Sequence, residues 1–275
     1  MSNIKRVRWR DQPQEPVSIS NVFAQYQPKL VLLPIMLEAN LGFLSSIPVA
    51  FANDVSFANN AFNFPGVNGL ISFGSDTTTP VNTYTILVVS QLLGFPTAFP
   101  AIACFTTSAQ RQSFIYSTNA SFKDIAIGRF GAISTTCARF AFPTSEPVLG
   151  TVRNIVVKRN GTDLTASYTA WANGQSLARS GGGGFAADPG GLSCLGQYSS
   201  TNLANDFQGN MYLFALFNSA LPDEYCLRLS INPWQLFAPM PAKMWDAPSG
   251  VPPPAFIPWW ASQRSRTIGA GAGLN

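Results

Sequence analysis

The sequence predicts an all-β protein, a sandwich of antiparallel strands with one short helix towards its C-terminal end. Three observations predict this fold class. Short runs of β-branched and aromatic residues recur through the middle of the chain, separated by turn residues. An Asn-Gly pair separates two of these runs, as in β-hairpins. Hydrophobic residues make up 46% of the 275 residues and charged residues only 11%, which indicates a packed chain rather than a disordered one.

The strand signals lie between residues 66 and 237, at the short spacing typical of sandwiches. The first six predicted strands are Gly69–Gly74, Thr83–Leu92, Phe99–Phe105, Ser113–Ser117, Asp124–Arg129 and Ala132–Phe142. The segment from Val152 to Tyr168 then predicts a hairpin that turns at Asn160-Gly161, because Asn and Gly adopt the positive φ angles of a tight turn.

Two further elements complete this middle region. Gly209–Asn218 is mostly apolar, which predicts a central, buried strand. A helix is predicted from Pro222 to Ile231. Proline suits the first turn of a helix, and Asp223 and Glu224 complement the partial positive charge at its N-terminus.

Both ends of the chain look irregular. Residues 1–65 contain scattered prolines and predict an N-terminal arm and an irregular first part of the sandwich, while residues 238–275 predict an arm rich in Pro, Gly and Trp. Exposed tryptophans are costly in water, so each arm either folds back on its own domain or docks on a neighbouring subunit. The candidate interface residues of the arms are Trp9, Arg10, Trp245, Trp259 and Trp260.

The net charge of +4 is unevenly distributed. The basic first ten residues are either a solvated tail or an arm for an acidic neighbour or packaged nucleic acid. No basic stripe with interleaved aromatics predicts sequence-specific recognition of nucleic acid. Between Ala39 and Gln110 the only charged residues are Asp54 and Asp76. So few charges predict a surface covered by neighbouring subunits, or one rich in hydroxyls and amides that faces carbohydrate.

The sequence predicts no membrane span and no signal peptide. Proline and polar residues interrupt the two longest apolar stretches, Leu30 to Phe51 and Ile86 to Phe105, and the start of the chain is polar and basic. We therefore expect synthesis in a cytoplasm without secretion, with reduced and buried cysteines. The cysteines are Cys104, Cys137, Cys194 and Cys226, and their spacing gives no Cys-x-x-Cys pair for zinc.

The second half of the middle region carries a set of ordered motifs. The run IVVKRNGTDLTASYTAWANG ends in Trp171-Ala172-Asn173-Gly174, and Cys194-Leu195-Gly196, the strand Gly209–Asn218 and the segment Ala220 to Glu224 follow. In this order the motifs resemble the hairpin, the closing strands and the final helix of the concanavalin A-like (laminin G-like) jelly-roll family. The resemblance covers residues 150–231 and implies an antiparallel β-sandwich jelly roll.

Three other segments, RWRDQPQ from Arg8, NPWQLF from Asn232 and RTIGAG from Arg266, carry a narrower resemblance. They are similar to segments of jelly-roll proteins encoded by tailed bacteriophages and prophages. This resemblance implies a structural virion protein, either a head decoration or a tail or fibre component. Its partners would be other virion proteins and copies of itself, and its location would be the virion.

Catalytic residues are not evident. The chain has no histidine, which excludes Ser-His-Asp and Cys-His nucleophile systems in their usual forms. Retaining glycosidases need two carboxyl groups about 5 Å apart, but no glutamate lies within two residues of another acid on a strand. Asp223 and Glu224 are adjacent, yet they suit a helix start. The sequence therefore predicts a protein that is not an enzyme, with a glycan hydrolase as the less favoured alternative.

A carbohydrate-binding adhesin that recognises host surface glycan is the alternative to the virion role. It needs an aromatic platform beside amides. The candidate residues are Trp171, Tyr198, Asn202 and Asn205. Asp188 and Asp206 lie in the same loops and could join these asparagines in holding calcium. No cofactor is expected, because Asp and Asn are also ordinary turn residues.

Overall fold

The computed structural model describes residues 17–26, 28–34, 49–52, 55–67, 69–73, 83–94, 100–106, 111–117, 124–129, 136–143, 149–163, 166–181, 191–196 and 206–239. The chain divides into two compact units, Met1–Ala238 and Pro239–Asn275. Apart from Pro239, every described residue belongs to the first unit.

Strands dominate the described residues. In chain order they are β1 (Val17–Ile19), β2 (Pro28–Leu32), β3 (Val49–Ala52), β4 (Ser56–Ala58), β5 (Ala61–Pro65), β6 (Leu70–Phe73), β7 (Thr83–Gly94), β8 (Ala101–Thr106), β9 (Arg111–Ser117), β10 (Asp124–Arg129), β11 (Thr136–Ala141), β12 (Val152–Asn160), β13 (Tyr168–Ala172), β14 (Gln175–Ser176), β15 (Arg179–Gly181), β16 (Gly191–Leu195), β17 (Gln208–Phe217) and β18 (Phe237–Pro239). The helices are α1 (Asn21–Ala24), α2 (Asp223–Ile231) and a 3-10 helix (Pro233–Leu236).

Two eight-stranded sheets form the sandwich. The flanking sheet has the strand order β15-β11-β10-β9-β8-β16-β6-β3. The middle sheet has the order β14-β13-β12-β7-β17-β5-β4, and β2 also pairs with β17. Along one edge of β17, β5 pairs with Gln208 to Met211 and β2 with Phe214 to Phe217. These pairings are antiparallel, and β1 and β18 form a separate two-stranded sheet.

Alternate residues of β7 point to opposite faces of the middle sheet, as in any strand. Ile86 and Val88 point into a core that they share with Ile125 of the flanking sheet. Leu87 and Val89 point the other way, into a second core shared with the helices. The protein therefore has three layers: the flanking sheet, the middle sheet, and a helical layer on the outer face of the middle sheet.

The all-β sandwich predicted from the sequence is confirmed. β17 lies between β7 on one side and β5 and β2 on the other, as predicted for a central strand. Helix α2 begins at Asp223 with Pro222 as its N-cap residue, within one residue of the prediction. α1 and the 3-10 helix were not predicted. They are too short to leave a helical period in the sequence.

The predicted hairpin is present, but its turn differs. β12 and β13 pair antiparallel, and the N–H of Asn160 donates to the carbonyl of Ser167, so the connection is longer than a two-residue turn. The two-residue turn lies at Asn173-Gly174, where both residues have positive φ (48° and 82°) and join β13 to β14. Asn-Gly therefore marks a tight turn only where the flanking strands pair directly up to it.

The chain before residue 66 is more regular than predicted. β2 and β5 belong to the middle sheet and β3 to the flanking sheet, and the side chains of Leu30 and Leu32 lie in the core between the sheets. Trp9, Arg10, Trp245, Trp259 and Trp260 of the predicted arms lie outside the described residues.

The cysteines are buried, as predicted, wherever their side chains are described. Cys104, Cys194 and Cys226 are fully buried. The side chain of Cys137 lies outside the described residues.

Candidate functional site

Within the part of the chain that the structure describes, the outer face of the middle sheet is covered along only part of its length. Around Leu87 and Phe217 it packs against Cys226 and Leu229 of α2 and against Trp234 of the 3-10 helix. Further along β7 and β17 the residues that point outward become polar and partly exposed. The sheet therefore changes from a buried surface to an accessible one within the same strands.

A row of three side-chain amides occupies this accessible part. Asn210 of β17 is the register partner of Asn63 on β5 and of Gln91 on β7. Met211, the next residue of β17, points into the core between the sheets, so Asn210 points outward. All three amide residues are partly exposed. We call Asn63, Asn210 and Gln91 the amide row.

Hydrogen bonds fix the orientation of the amides. Asn210 Nδ2 donates to Gln91 Oε1 at 3.0 Å, and the hydroxyl of Tyr212 donates to the same oxygen at 3.2 Å. Gln91 Nε2 in turn donates to the carbonyl oxygen of Gly150 at 2.8 Å. Because the nitrogen of Asn210 is held by Gln91, its Oδ1 is directed to the other side as an acceptor.

The third amide is held by the turn beside it. Asn63 Nδ2 lies 3.2 to 3.4 Å from the carbonyl oxygens of Ala61, Ala58 and Ser56. Asn59 and Asn60 between β4 and β5 both have positive φ (55° and 57°), the geometry of a tight hairpin turn. Asn63 thus has its donor group engaged by the turn and its oxygen left as an acceptor.

Tyr212 stands at the boundary between the covered and accessible parts and is 8% exposed. Burial raises the pKa of its hydroxyl, and a hydrogen bond with Asn210 lowers it by less. The group therefore stays protonated at neutral pH and remains a donor to Gln91.

Small and apolar residues surround the row. Gln208 packs against Gly66 and Gly94; a Cβ on Gly66 would lie 2.7 Å from the Cβ of Gln208. Three well-exposed aliphatic residues follow or precede residues of this region in the chain. Leu93 (50%) comes two residues after Gln91, Leu149 (42%) precedes Gly150, and Val67 (63%) follows Gly66. The accessible face therefore combines oriented hydrogen-bonding groups with apolar surface.

The amide row is not among the sites predicted from the sequence. Trp171 was predicted to form an exposed aromatic platform, but it is only 5% exposed and lies in the core under α2, with Lys158 Nζ 5.3 Å from the centre of its ring. Trp171 points to the outer face of β13, where the helical layer covers it. This part of the prediction is corrected. Tyr198, Asn202 and Asn205 lie outside the described residues and stay predictions.

The structure describes some of the acidic residues that were considered as metal ligands or as catalytic acids. Asp206 lies two residues before β17 and is 4% exposed, while Asp188 lies outside the described residues. No group of three His, Cys, Asp or Glu side chains that could hold a metal ion occurs within the described part of the chain. Asp223 pairs with Lys158 and Glu224 with Arg228, so both acids act in ion pairs at α2.

An acid and a base on the flanking sheet form a pair that the sequence did not reveal. Asp124 Oδ2 of β10 lies 3.7 Å from Arg139 Nε of β11, and both side chains are buried. Since they lie on adjacent strands, only the strand pairing brings them together.

Among the described residues, no helix is long and apolar enough to span a membrane.

Comparison with known proteins gives structural matches alone. No model of a known protein family matches the sequence, and no curated protein matches it. A Trypanosoma rangeli sialidase matches at 13% identity with a TM-score of 0.54, over 82% of this chain and 36% of the sialidase. The same sialidase in complex with sialic acid matches at 15% identity and a TM-score of 0.53, with the same coverage. The Ruminococcus gnavus IT-sialidase CBM40 bound to alpha2,3 sialyllactose matches more weakly, at 12% identity and a TM-score of 0.41, over 55% of this chain and 83% of that one.

These matches concern the fold. The chain spans 36% of the length of the two sialidase chains. The predicted jelly-roll sandwich is confirmed. Nothing in the matches indicates a phage origin, so the virion role, location and partners stay predictions.

The prediction that the protein is not an enzyme is contradicted. It depended on the missing histidine and on the lack of paired carboxylates along the sequence. Sialidases are among the solved structures that match this fold, so these two absences do not exclude a glycan hydrolase.

Proposed function

We propose that this protein binds glycans and that the amide row is its binding face. The observation that carries the proposal is the hydrogen-bond network that holds Gln91 and Asn210 in fixed orientations on a partly exposed sheet face. Sugar hydroxyls both donate and accept hydrogen bonds, and so do side-chain amides. Groups that are already oriented lose little conformational freedom when a ligand binds, which favours affinity.

The layout of the row suits an extended ligand. Neighbouring strands lie about 4.8 Å apart, so the three amides span roughly 10 Å across the sheet. A glycan lying across β5, β17 and β7 would meet one amide on each strand. Its apolar C–H groups would contact the exposed side chains of Leu93, Leu149 and Val67.

The segment that leads into β17 contains the asparagines predicted from the sequence. Residues 197–205 follow Gly196 and precede Asp206, and the N–H of Phe207 donates to the carbonyl of Gly196 at 2.8 Å. Asn205 comes five residues before Asn210 in the chain. We include Tyr198, Asn202 and Asn205 in the proposal as further contacts to the same ligand.

The comparisons support the proposal only through the fold. One matching sialidase structure is a complex with sialic acid, so a fold of this kind occurs in a protein with a sugar ligand.

The experiment is a glycan array probed with the purified protein and three variants. Asn210→Ala and Gln91→Ala each remove part of the row, and we expect each to weaken binding about tenfold or more, since partner groups lose hydrogen bonds. Gln235→Ala is the matched control, because Gln235 is an exposed amide on the 3-10 helix. Binding that falls equally in the control, or no binding by the natural sequence, would argue against the proposal.

The structural virion role is the second candidate. It is supported by the resemblance of the segments that begin at Arg8, Asn232 and Arg266 to phage proteins, and by the few charges between Ala39 and Gln110. Light scattering of the full chain and of a chain without residues 1–16 and 240–275 tests it. An oligomer that dissociates on truncation supports the role, and a monomer in both forms counts against it.

A further inference from the structure

The strands that carry the amide row contain no charged residue. This holds for β5, β7 and β17, and also for β4, which pairs with β5. The two charged residues between Ala39 and Gln110 are Asp54 and Asp76, which are both acidic. The sequence on either side of β4, β5 and β7 therefore adds only negative charge.

The cations of the neighbouring strand β12 do not reach the accessible face. Arg153 is the register partner of Ser90, one residue from Gln91, but it points into the core, is 1% exposed and lies over the ring of Phe142 at 4.1 Å. Arg159 is fully buried over Tyr168.

The remaining cations of the middle sheet lie at its far end. Lys158 is the register partner of Thr85 and pairs with Asp223 at the helical layer. Lys29 belongs to β2, which pairs with the end of β17 near Phe217, about 20 Å along the strand from Asn210. Neither lysine faces the row.

We infer that the amide row selects uncharged glycans, those without carboxylate, sulfate or phosphate groups; this inference rests on the proposed function. An anionic sugar loses its hydration on binding and needs a charge-assisted hydrogen bond from Arg or Lys in return. Among the described residues, the neutral amides and the exposed Leu93 supply no such bond, and no Arg or Lys of the middle sheet faces them. Sialic acid, the ligand in the matching sialidase complex, is then excluded by the chemistry of this face.

The row also requires hydroxyl donors on the ligand. The Nδ2 groups of Asn210 and Asn63 are engaged by Gln91 and by the β4–β5 turn, so their oxygens face the ligand as acceptors. A sugar whose hydroxyls are methylated could not donate to them. The ligand class is therefore a neutral glycan with free hydroxyl groups.

The test is an array of neutral oligosaccharides, each printed beside its sialylated, sulfated and O-methylated derivatives. We expect the neutral member to bind at least about tenfold more tightly than each derivative. Leu93→Lys adds a cation at the rim without removing an amide, since Leu93 is 50% exposed. This variant should reduce the difference in affinity between the neutral members and their sialylated and sulfated derivatives.

The outcomes separate the inference from the function on which it rests. Two results together support the selectivity and the glycan-binding function. Asn210→Ala loses binding to the neutral glycan, and Leu93→Lys reduces the difference in affinity between neutral and anionic glycans. Sialylated or sulfated members that bind as tightly as the neutral ones, and lose binding in Asn210→Ala, overturn the selectivity while the glycan-binding function stands. No binding to any member overturns both.

Discussion

Asn210 and Gln91 are register partners on β17 and β7, and the side-chain nitrogen of Asn210 donates to the side-chain oxygen of Gln91 at 3.0 Å. The contact joins residues 119 positions apart in the chain. It lies where the helical layer no longer covers the middle sheet. The strands that bury Leu87 and Phe217 thus present oriented polar groups a few residues further on.

Tyr212 should act as a positioning residue for this row. Tyr212→Phe removes the donor to Gln91 Oε1, and we expect about a two- to fivefold loss of glycan affinity and a stability loss of about 1 kcal/mol. Tyr84→Phe is the matched control, because its hydroxyl bonds that of Tyr168 in the core between the sheets at 2.9 Å. The control should lose similar stability and no affinity. Equal affinity losses in calorimetric titrations of both variants would contradict this role.

Gly209 permits the close approach of β17 to β7. A Cβ at this position would clash with the backbone carbonyl oxygen of Gln91. Gly209→Ala should therefore destabilise the protein by about 3 kcal/mol, measured by urea denaturation. Gly181→Ala is the control, since its Cβ would meet Arg139 Cδ at an ordinary 3.6 Å. Equal denaturation midpoints for the two variants would contradict this prediction, because β17 and β7 would then have moved apart at little cost in free energy.

Trp171 should contribute to stability and not to binding. Trp171→Phe leaves part of its space in the second core unfilled, and we expect a loss of about 1–3 kcal/mol in the free energy of unfolding. Glycan affinity should stay within twofold of the natural sequence in the same titrations. A variant with unchanged stability and no glycan binding would instead support the prediction from the sequence that Trp171 is an exposed binding platform.

Cys226 should make the protein less stable as the pH rises into the alkaline range. Burial raises the pKa of its thiol from 9.0 to about 12. Above pH 9 the unfolded chain loses this proton while the folded protein keeps it, so stability falls with rising pH, by roughly 1 kcal/mol per unit, until about pH 12. Urea denaturation at pH 8 and pH 10.5 should show a smaller decrease for Cys226→Ala. Equal decreases in both proteins would contradict the shift.

The sequence predicted the elements of the fold better than their arrangement. β10 has the predicted bounds, Asp124–Arg129, and α2 starts within one residue of its predicted position. Local periodicity and the proline at the helix start carry that information. The tight turn at Asn173-Gly174 was missed in favour of Asn160-Gly161, because the dipeptide does not reveal where the flanking strands begin to pair.

The candidate site required information that the local sequence does not contain. Asn63, Gln91 and Asn210 come together only through the pairing of β5, β17 and β7. A weak signal exists, since each is a side-chain amide on a mostly apolar strand. The prediction that Trp171 is exposed was wrong for a related reason. The alternation of residues along a strand indicates which face a side chain lies on, but not whether a helix covers that face.

The most direct measurement is an NMR titration of the ¹⁵N-labelled protein with the neutral oligosaccharide that binds best on the array. The side-chain amide resonances of Asn63, Gln91 and Asn210 report on the row, and that of Gln235 serves as the reference. Binding at the amide row predicts saturable shifts of the three row amides, with the Gln235 resonance unchanged. Saturable binding that shifts other residues and leaves all three row amides in place would contradict it.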